Sequence, residues 1–448
     1  MSNIEGENLN ATNNESISFK RVSDLFEKLK GYFYANNICK QDFINLSTNE
    51  NFLSSLVRIS NPSLQGGYSY NKFINSNDTD NIIEKELKDI TKKIAKSMFE
   101  CEVFNFDICS SVKAQQSILL GICNYGDSIL HFKKSKYEDS SLEELAKKFP
   151  IKIYNIPIHE KSLEINMSEL ESLIKEHPEI KLIMLDQTVK LREESLMDLR
   201  NVVPDNVIIS YDCSDSAGLI ASGILPQPSL MGVDIIYGCT NTTIPGPQKG
   251  FIGFKDANNP YYESISNWCK LYLQSSSHNE QIGQLLLSLY EMKVFGRQYC
   301  IQMVDNAKAF ARELYNEGFN VFGESFGFTE TNQVYIVIGS LQKTLDCRKN
   351  ILLRAGIYVD IVEIPGESEV FGLKLGTQAM TRRGFTALEF KEIARILGKL
   401  ILKDEKPENI KFEVKAFLER YPMFPLKFSF DKFLNEDLVK ELISEVLR

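Results

Sequence analysis

The sequence has one tryptophan, four histidines and, among its nine cysteines, no CxxC pair. Cys39, Cys101, Cys109, Cys123, Cys213, Cys239, Cys269, Cys300 and Cys347 are scattered, which excludes the common thiolate zinc motifs. An odd number spread over a long chain fits reduced thiols better than a disulfide framework. His131, His159, His177 and His278 stand in no Ser–His–Asp or metal-ligand pattern, so no metal site is expected. No apolar run approaches the roughly 20 residues that cross a bilayer, so no membrane partner is expected. Basic charge is not in excess either: the net charge of −9 argues against non-specific nucleic-acid binding. Residues 1–18 lack the apolar core of a secretory signal and the Arg-rich, acid-poor character of a mitochondrial presequence. They read as a disordered tail of a cytoplasmic protein, with a mitochondrial location left open.

The chain itself is ordinary in bulk. Its 448 residues, 43% hydrophobic and 25% charged, are too many for one small core, and two or three domains are expected. Amphipathic helices are predicted over 21–38, 81–100 and 300–317, and a long polar loop over 60–80. Strand-like runs at 103–106, 129–132, 151–156, 180–185, 207–211, 233–237 and 250–254 alternate with helical patterns at 141–148 and 167–176. This β-α-β series predicts an α/β fold, a three-layer α/β/α sandwich with a mostly parallel sheet, followed by a smaller C-terminal α+β domain. The expected division is a tail at 1–18, an N-terminal helix and loop segment at 19–80, a large domain at 81–299 and a small domain at 300–448.

Residues 207–254 organise the rest. Three short apolar runs end in loops, and in an α/β sheet such strand-end loops are where ligands bind. The first ends in Asp212 and a turn of small residues, 213–218. The second ends in Gly238-Cys239-Thr240-Asn241-Thr242-Thr243. Ser110 and Ser111 open a helix, where free N–H groups make either an anion site or a plain N-cap.

Five stretches, in order, resemble serine hydroxymethyltransferase, a fold-type-I pyridoxal phosphate (PLP) family that moves a one-carbon unit between serine and tetrahydrofolate. Residues 46–52 (LSTNENF) are similar to its LIASENF segment, and 110–115 (SSVKAQ) to its SGSQAN phosphate loop. Residues 212–223 (DCSDSAGLIASG) resemble DMAHIAGLIAAG, and 234–250 (DIIYGCTNTTIPGPQKG) resemble DVVTTTTHKTLRGPRGG. Residues 373–385 (LKLGTQAMTRRGF) resemble IRLGTPAMTTRGF. The resemblance implies a PLP transferase fold, PLP and tetrahydrofolate as ligands, and glycine and serine as substrate and product.

It also marks departures. The family's Schiff-base lysine position is taken by Thr242, preceded by Asn241 in place of histidine. An alcohol cannot form an imine, so PLP there would be held without a covalent link. Lys249, further along, could substitute only if the loop reversed. Ser110 is kept in the phosphate loop, but Ser111 and Val112 replace Gly and Ser. Asp215 replaces the histidine of DMAH, and Lys374 the arginine that holds the substrate carboxylate, keeping the charge but losing the planar fork. The family's stacking histidine and its loop glutamate have no counterpart. Asp212 matches the acid that pairs with the pyridine nitrogen, Thr188 and Arg192 match the Ser and Arg of SAYPR, and Glu50 matches the Glu of SENF. Two expectations follow. One is a pseudoenzyme that keeps the fold and oligomer surface, as a homodimer or in a hetero-oligomer with an active paralogue. The other is a glycine hydroxymethyltransferase of weak or altered PLP-dependent activity.

Overall fold

The computed structural model describes residues 24–25, 27–31, 41–60, 79–135, 137, 141–159, 162–187, 189–192, 195–273 and 280–434. The expected tail at 1–18, most of the loop at 60–80, Cys39, Thr188 and His278 lie outside the described residues. Of the helix expected over 21–38, residues 24–25 and 27–31 are described and are helical.

Fourteen strands form among the described residues. A short β1 (Ile44–Asn45) precedes the large sheet, built from β2 (Val103–Asn105), β3 (Ser128–His131) and β4 (Lys152–Asn155). A hairpin, β5 (Ile158–His159) and β6 (Glu164–Ile165), interrupts it, and β7 (Ile180–Leu185), β8 (Ile208–Asp212), β9 (Ile235–Cys239) and β10 (Gly250–Phe254) complete it. The order is β2-β10-β9-β8-β7-β3-β4. The pairs from β9 through β8, β7 and β3 to β4 are parallel, while β10 runs antiparallel to both β9 and β2. Strands buried on both faces read as continuous apolar runs. Ile208, Ile209 and Tyr211 do so because one core packs against each face of the sheet. The sandwich expected from the β-α-β pattern is therefore the fold, with antiparallel β10 as the one departure from parallel order that the pattern did not reveal.

The C-terminal unit holds β11 (Gln333–Gly339), β12 (Ile357–Tyr358), β13 (Asp360–Glu363) and β14 (Phe371–Gly376). β11, β14 and β13 make an antiparallel sheet, and β12 pairs with β1 in parallel. Through that pairing residues 44–45 join the C-terminal unit. The helix Glu280–Glu317 passes through residues 299 and 300, where the sequence division falls. Its first part, to Val304, packs in the core of the large sheet; from Ala307 onward it packs in the core of the C-terminal unit. The helix Ala387–Ile401 lies along it and carries a full capping box, Thr386 with Glu389, which satisfies otherwise unpaired N–H groups at its start.

Candidate functional site

The site forms where β8 and β9 end and the C-terminal sheet faces them. Asp212 closes β8 opposite Tyr237. Its Oδ1 accepts from the Ser214 backbone N–H at 2.8 Å and from the Ser214 hydroxyl at 2.5 Å. Burial pushes the Asp212 carboxyl above its ordinary value, against the pull of Ser214 and of the Lys190 charge. The turn that follows brings Gly218 against the next loop: a Cβ on Gly218 would lie 2.4 Å from the Thr243 carbonyl oxygen. The Gly218 N–H donates to Thr243 Oγ1 at 2.9 Å. Only a residue without a side chain permits this approach.

The loop after β9 is stapled to itself. Thr240 donates its N–H to Lys249 O at 3.0 Å and its hydroxyl to Pro247 O at 2.6 Å, while the Gly246 N–H returns to Thr240 O at 2.9 Å. Thr242 is buried, and its hydroxyl donates to the Ser214 carbonyl. The segment 49–51 docks on the same loop. Asn51 Nδ2 donates to Thr242 O at 2.6 Å, and Asn241 Nδ2 donates to Asn49 O at 3.0 Å. Asn241 and Thr242 thus meet Asp212's turn on one side and the Glu50 segment on the other. Glu50 itself accepts from Asn45 Nδ2 at 2.6 Å.

Asp215 faces the C-terminal sheet. Its Oδ2 accepts from Lys374 Nζ at 2.8 Å and from Gln333 Nε2 at 2.9 Å. Burial alone would raise this carboxyl, but the Lys374 ammonium and the Gln333 amide outweigh it and hold it below its ordinary value. Burial likewise disfavours the Lys374 charge, and Asp215 overrides it, raising that group. Ser110 is the N-cap of Ser111–Ile122: its hydroxyl accepts from the Lys113 N–H at 3.3 Å, while Ser111 is half-buried and Val112 exposed. Arg192 makes its contacts elsewhere, with Glu164 at 3.1 Å and over the Phe326 ring.

Three groups escaped the reading of the sequence. Lys190 is buried, with its Nζ 4.3 Å from the centre of the Tyr211 ring, and its charge reaches both Asp212 and Asp215. Its signal was a lone cation between Val189 and Leu191. Gln333 and its neighbour Tyr335 gave no signal beyond strand propensity. Asp186, at the exit of β7, accepts from the Phe132 N–H at 3.2 Å and Gln115 Nε2 at 3.1 Å, and lies 3.3 Å from Lys134. His131 is fully buried, 3.6 Å from Asp186 and 3.6 Å from Glu143. Burial opposes ionisation of Asp186, yet His131 and Lys134 keep its carboxyl below the ordinary value.

A family description, serine hydroxymethyltransferase, matches residues 36–397. The chain belongs to the serine hydroxymethyltransferase family. Its curated relatives include the serine hydroxymethyltransferases of Methanobrevibacter smithii, 28% identical over 77% of this chain and 82% of the relative, and of Archaeoglobus fulgidus, 27% identical over 92% and 93%. Among solved structures, L-threonine transaldolase from Pseudomonas fluorescens, described in its internal aldimine state, superposes with a TM-score of 0.93 at 35% identity, covering 97% of this chain and all of that one. The α/β sandwich is therefore the PLP-transferase fold. Family membership brings PLP to this site as the expected group, and the residues fit it unevenly. Asp212 offers a carboxyl at the strand end, but Thr242 offers a hydroxyl already donated to Ser214, and the Ser110 hydroxyl is engaged as a helix cap. The set present does not fit PLP attached in the family's way at Thr242.

Proposed function

We propose that this serine hydroxymethyltransferase-family chain does not carry out the family reaction through a covalent cofactor at residue 242, and that it acts by binding. The observation that carries this reading is Thr242: a buried hydroxyl, hydrogen-bonded to the Ser214 carbonyl, stands at the position that the resemblance assigns to the Schiff-base amine. The altered neighbours support it, since Asp215 and Lys374 neutralise each other and Ser110 caps its own helix. In this reading tetrahydrofolate is not turned over, and the chain serves in the cytoplasm as a homodimer or as a scaffold or regulatory partner of an active paralogue. Co-purification with such a paralogue tests the partner; a clean failure to associate removes it.

The comparison with the transaldolase favours a second reading, in which the chain binds PLP and performs an altered amino-acid reaction. That structure is more similar in sequence, at 35%, than the hydroxymethyltransferases quoted, at 27–28%. One titration separates the two. PLP added to the purified protein is followed by absorbance, then by borohydride reduction and peptide mapping. The binding reading expects no reducible imine; a label on Lys190, Lys249 or any other lysine in the site overturns it. Thr242→Lys is expected to gain the reducible band if the surrounding scaffold is intact.

A further inference from the structure

β14 sets Lys374 in the middle of a three-stranded sheet, opposite Tyr335 on β11 and Asp360 on β13. Cross-strand partners share a face, and Gln333, two positions before Tyr335, shares it as well. This face turns toward the turn 213–216 at the end of β8. A buried ammonium requires an anion. The acid beside Lys374 on its own sheet is engaged otherwise: Asp360 Oδ2 accepts from Thr48 N at 2.7 Å, Ser47 Oγ at 2.9 Å and Thr48 Oγ1 at 3.1 Å. Lys374 instead reaches across to Asp215.

The cradle that receives Asp215 is oriented in advance. A carboxylate only accepts, so Gln333 must turn its amide NH₂ toward Asp215 and its Oε1 away. The Tyr335 hydroxyl donates to that Oε1 and fixes the amide in this sense. One ammonium and one amide N–H thus converge on a single carboxylate oxygen at 2.8 and 2.9 Å. The donors come from strands of a packed sheet, whereas the acceptor comes from a turn whose side chain keeps 17% of its surface exposed. Rigid donors facing a carboxylate on a turn, in contact with solvent, describe a binding site with an occupant rather than a core ion pair.

We propose that Lys374, Gln333 and Tyr335 form a carboxylate-binding cradle and that Asp215 is its built-in occupant, which keeps small carboxylate ligands off these donors. This inference goes beyond the proposed function and holds whether or not PLP binds, so its test uses no PLP. In full-length protein, Asp215→Ala removes the occupant's carboxylate, vacates its space and leaves the donors. Acetate is titrated against chloride at equal ionic strength, and thermal unfolding and heats of binding are read. A ligand that binds the native state raises the melting temperature. The expected result is an acetate-specific rise for Asp215→Ala and affinity at least about tenfold above the native chain, lost again when Lys374→Met is added. The reversed pair, Asp215→Lys with Lys374→Asp, should close the site and show no acetate effect. If Asp215→Ala folds only in acetate, the proposal is supported directly. No acetate-specific gain, or an equal gain without Lys374, overturns it.

Discussion

Among the described residues, two ion pairs tie the C-terminal unit to the rest of the molecule, and they differ in kind. Arg382 with Glu291 is sealed, with side chains at 1% and 0% exposure. Backbone groups bind both partners: Arg382 Nη1 donates to Phe428 O at 3.1 Å, and Glu291 Oε1 accepts from the Phe430 N–H at 3.0 Å, while Arg382 Nε is buried without a hydrogen-bond partner. Lys374 with Asp215 keeps 9% and 17% exposure, and its acid sits on a turn. The first joins two helices and a terminal segment where nothing else can reach; the second lies at the exit of the strands where ligands bind in this fold. A fully enclosed pair specifies packing. A partly exposed pair at the strand ends specifies which groups those donors accept.

Breaking each pair should separate these roles. Glu291→Ala leaves Arg382 buried and uncompensated, and a loss of about 3–5 kcal/mol is expected in denaturant unfolding. A smaller loss would show that water reaches Arg382. Lys374→Met leaves Asp215 next to solvent, so about 1–3 kcal/mol is expected from the same measurement. A loss equal to that of Glu291→Ala would mean that the two pairs are alike after all.

The pH dependence sharpens the contrast. Asp215 is held below its ordinary 3.8, so the pair's contribution is complete above that value and disappears as the pH falls below it. In Lys374→Met the main opponent of burial is gone and the Asp215 carboxyl rises, so the stability difference between the native chain and the variant should be largest near neutrality and shrink as the solution is acidified. Asp212 carries the opposite sign. Its carboxyl is raised by burial, so it costs stability as the pH rises through its folded value. Asp212→Asn keeps the acceptor oxygen for Ser214 and should stabilise the fold by up to about 1 kcal/mol at pH 7, with no gain below about pH 4. A loss at neutral pH would show that the ionised form is held by a partner. The smallest effect is at Cys239. Burial pushes its thiol up to about 12, and slow alkylation at pH 8 is expected, approaching the unfolded rate only in denaturant.

The framework was legible from periodicity. The apolar runs at 180–185 and 250–254 became β7 and β10 with those bounds, and 167–176 became the helix Met167–Glu176. Short strands such as β1 and β12 were not, because two residues carry no period and their pairing joins Ile44 to Ile357 across the chain. In the site, Asp212, Asn241, Thr242, Asp215 and Lys374 were singled out from motif positions, and the structure sets them near the ends of β8 and β9, linked through Ser214 and the pair Asp215–Lys374. Arg192 was drawn to Glu164 instead, an acid on a hairpin that the linear pattern did not mark.

By itself the sequence determined the family's ordered motifs, the alternation that builds the sandwich, and the absence of an amine at residue 242, since these depend on residue type and spacing alone. The tertiary structure decided that Asp215 meets Lys374, that Gln333 and Tyr335 prepare the meeting, and that Lys190 lies over Tyr211. Those contacts join residues more than a hundred positions apart or turn on side-chain direction. Only packing one sheet against the end of another could bring them within hydrogen-bond distance.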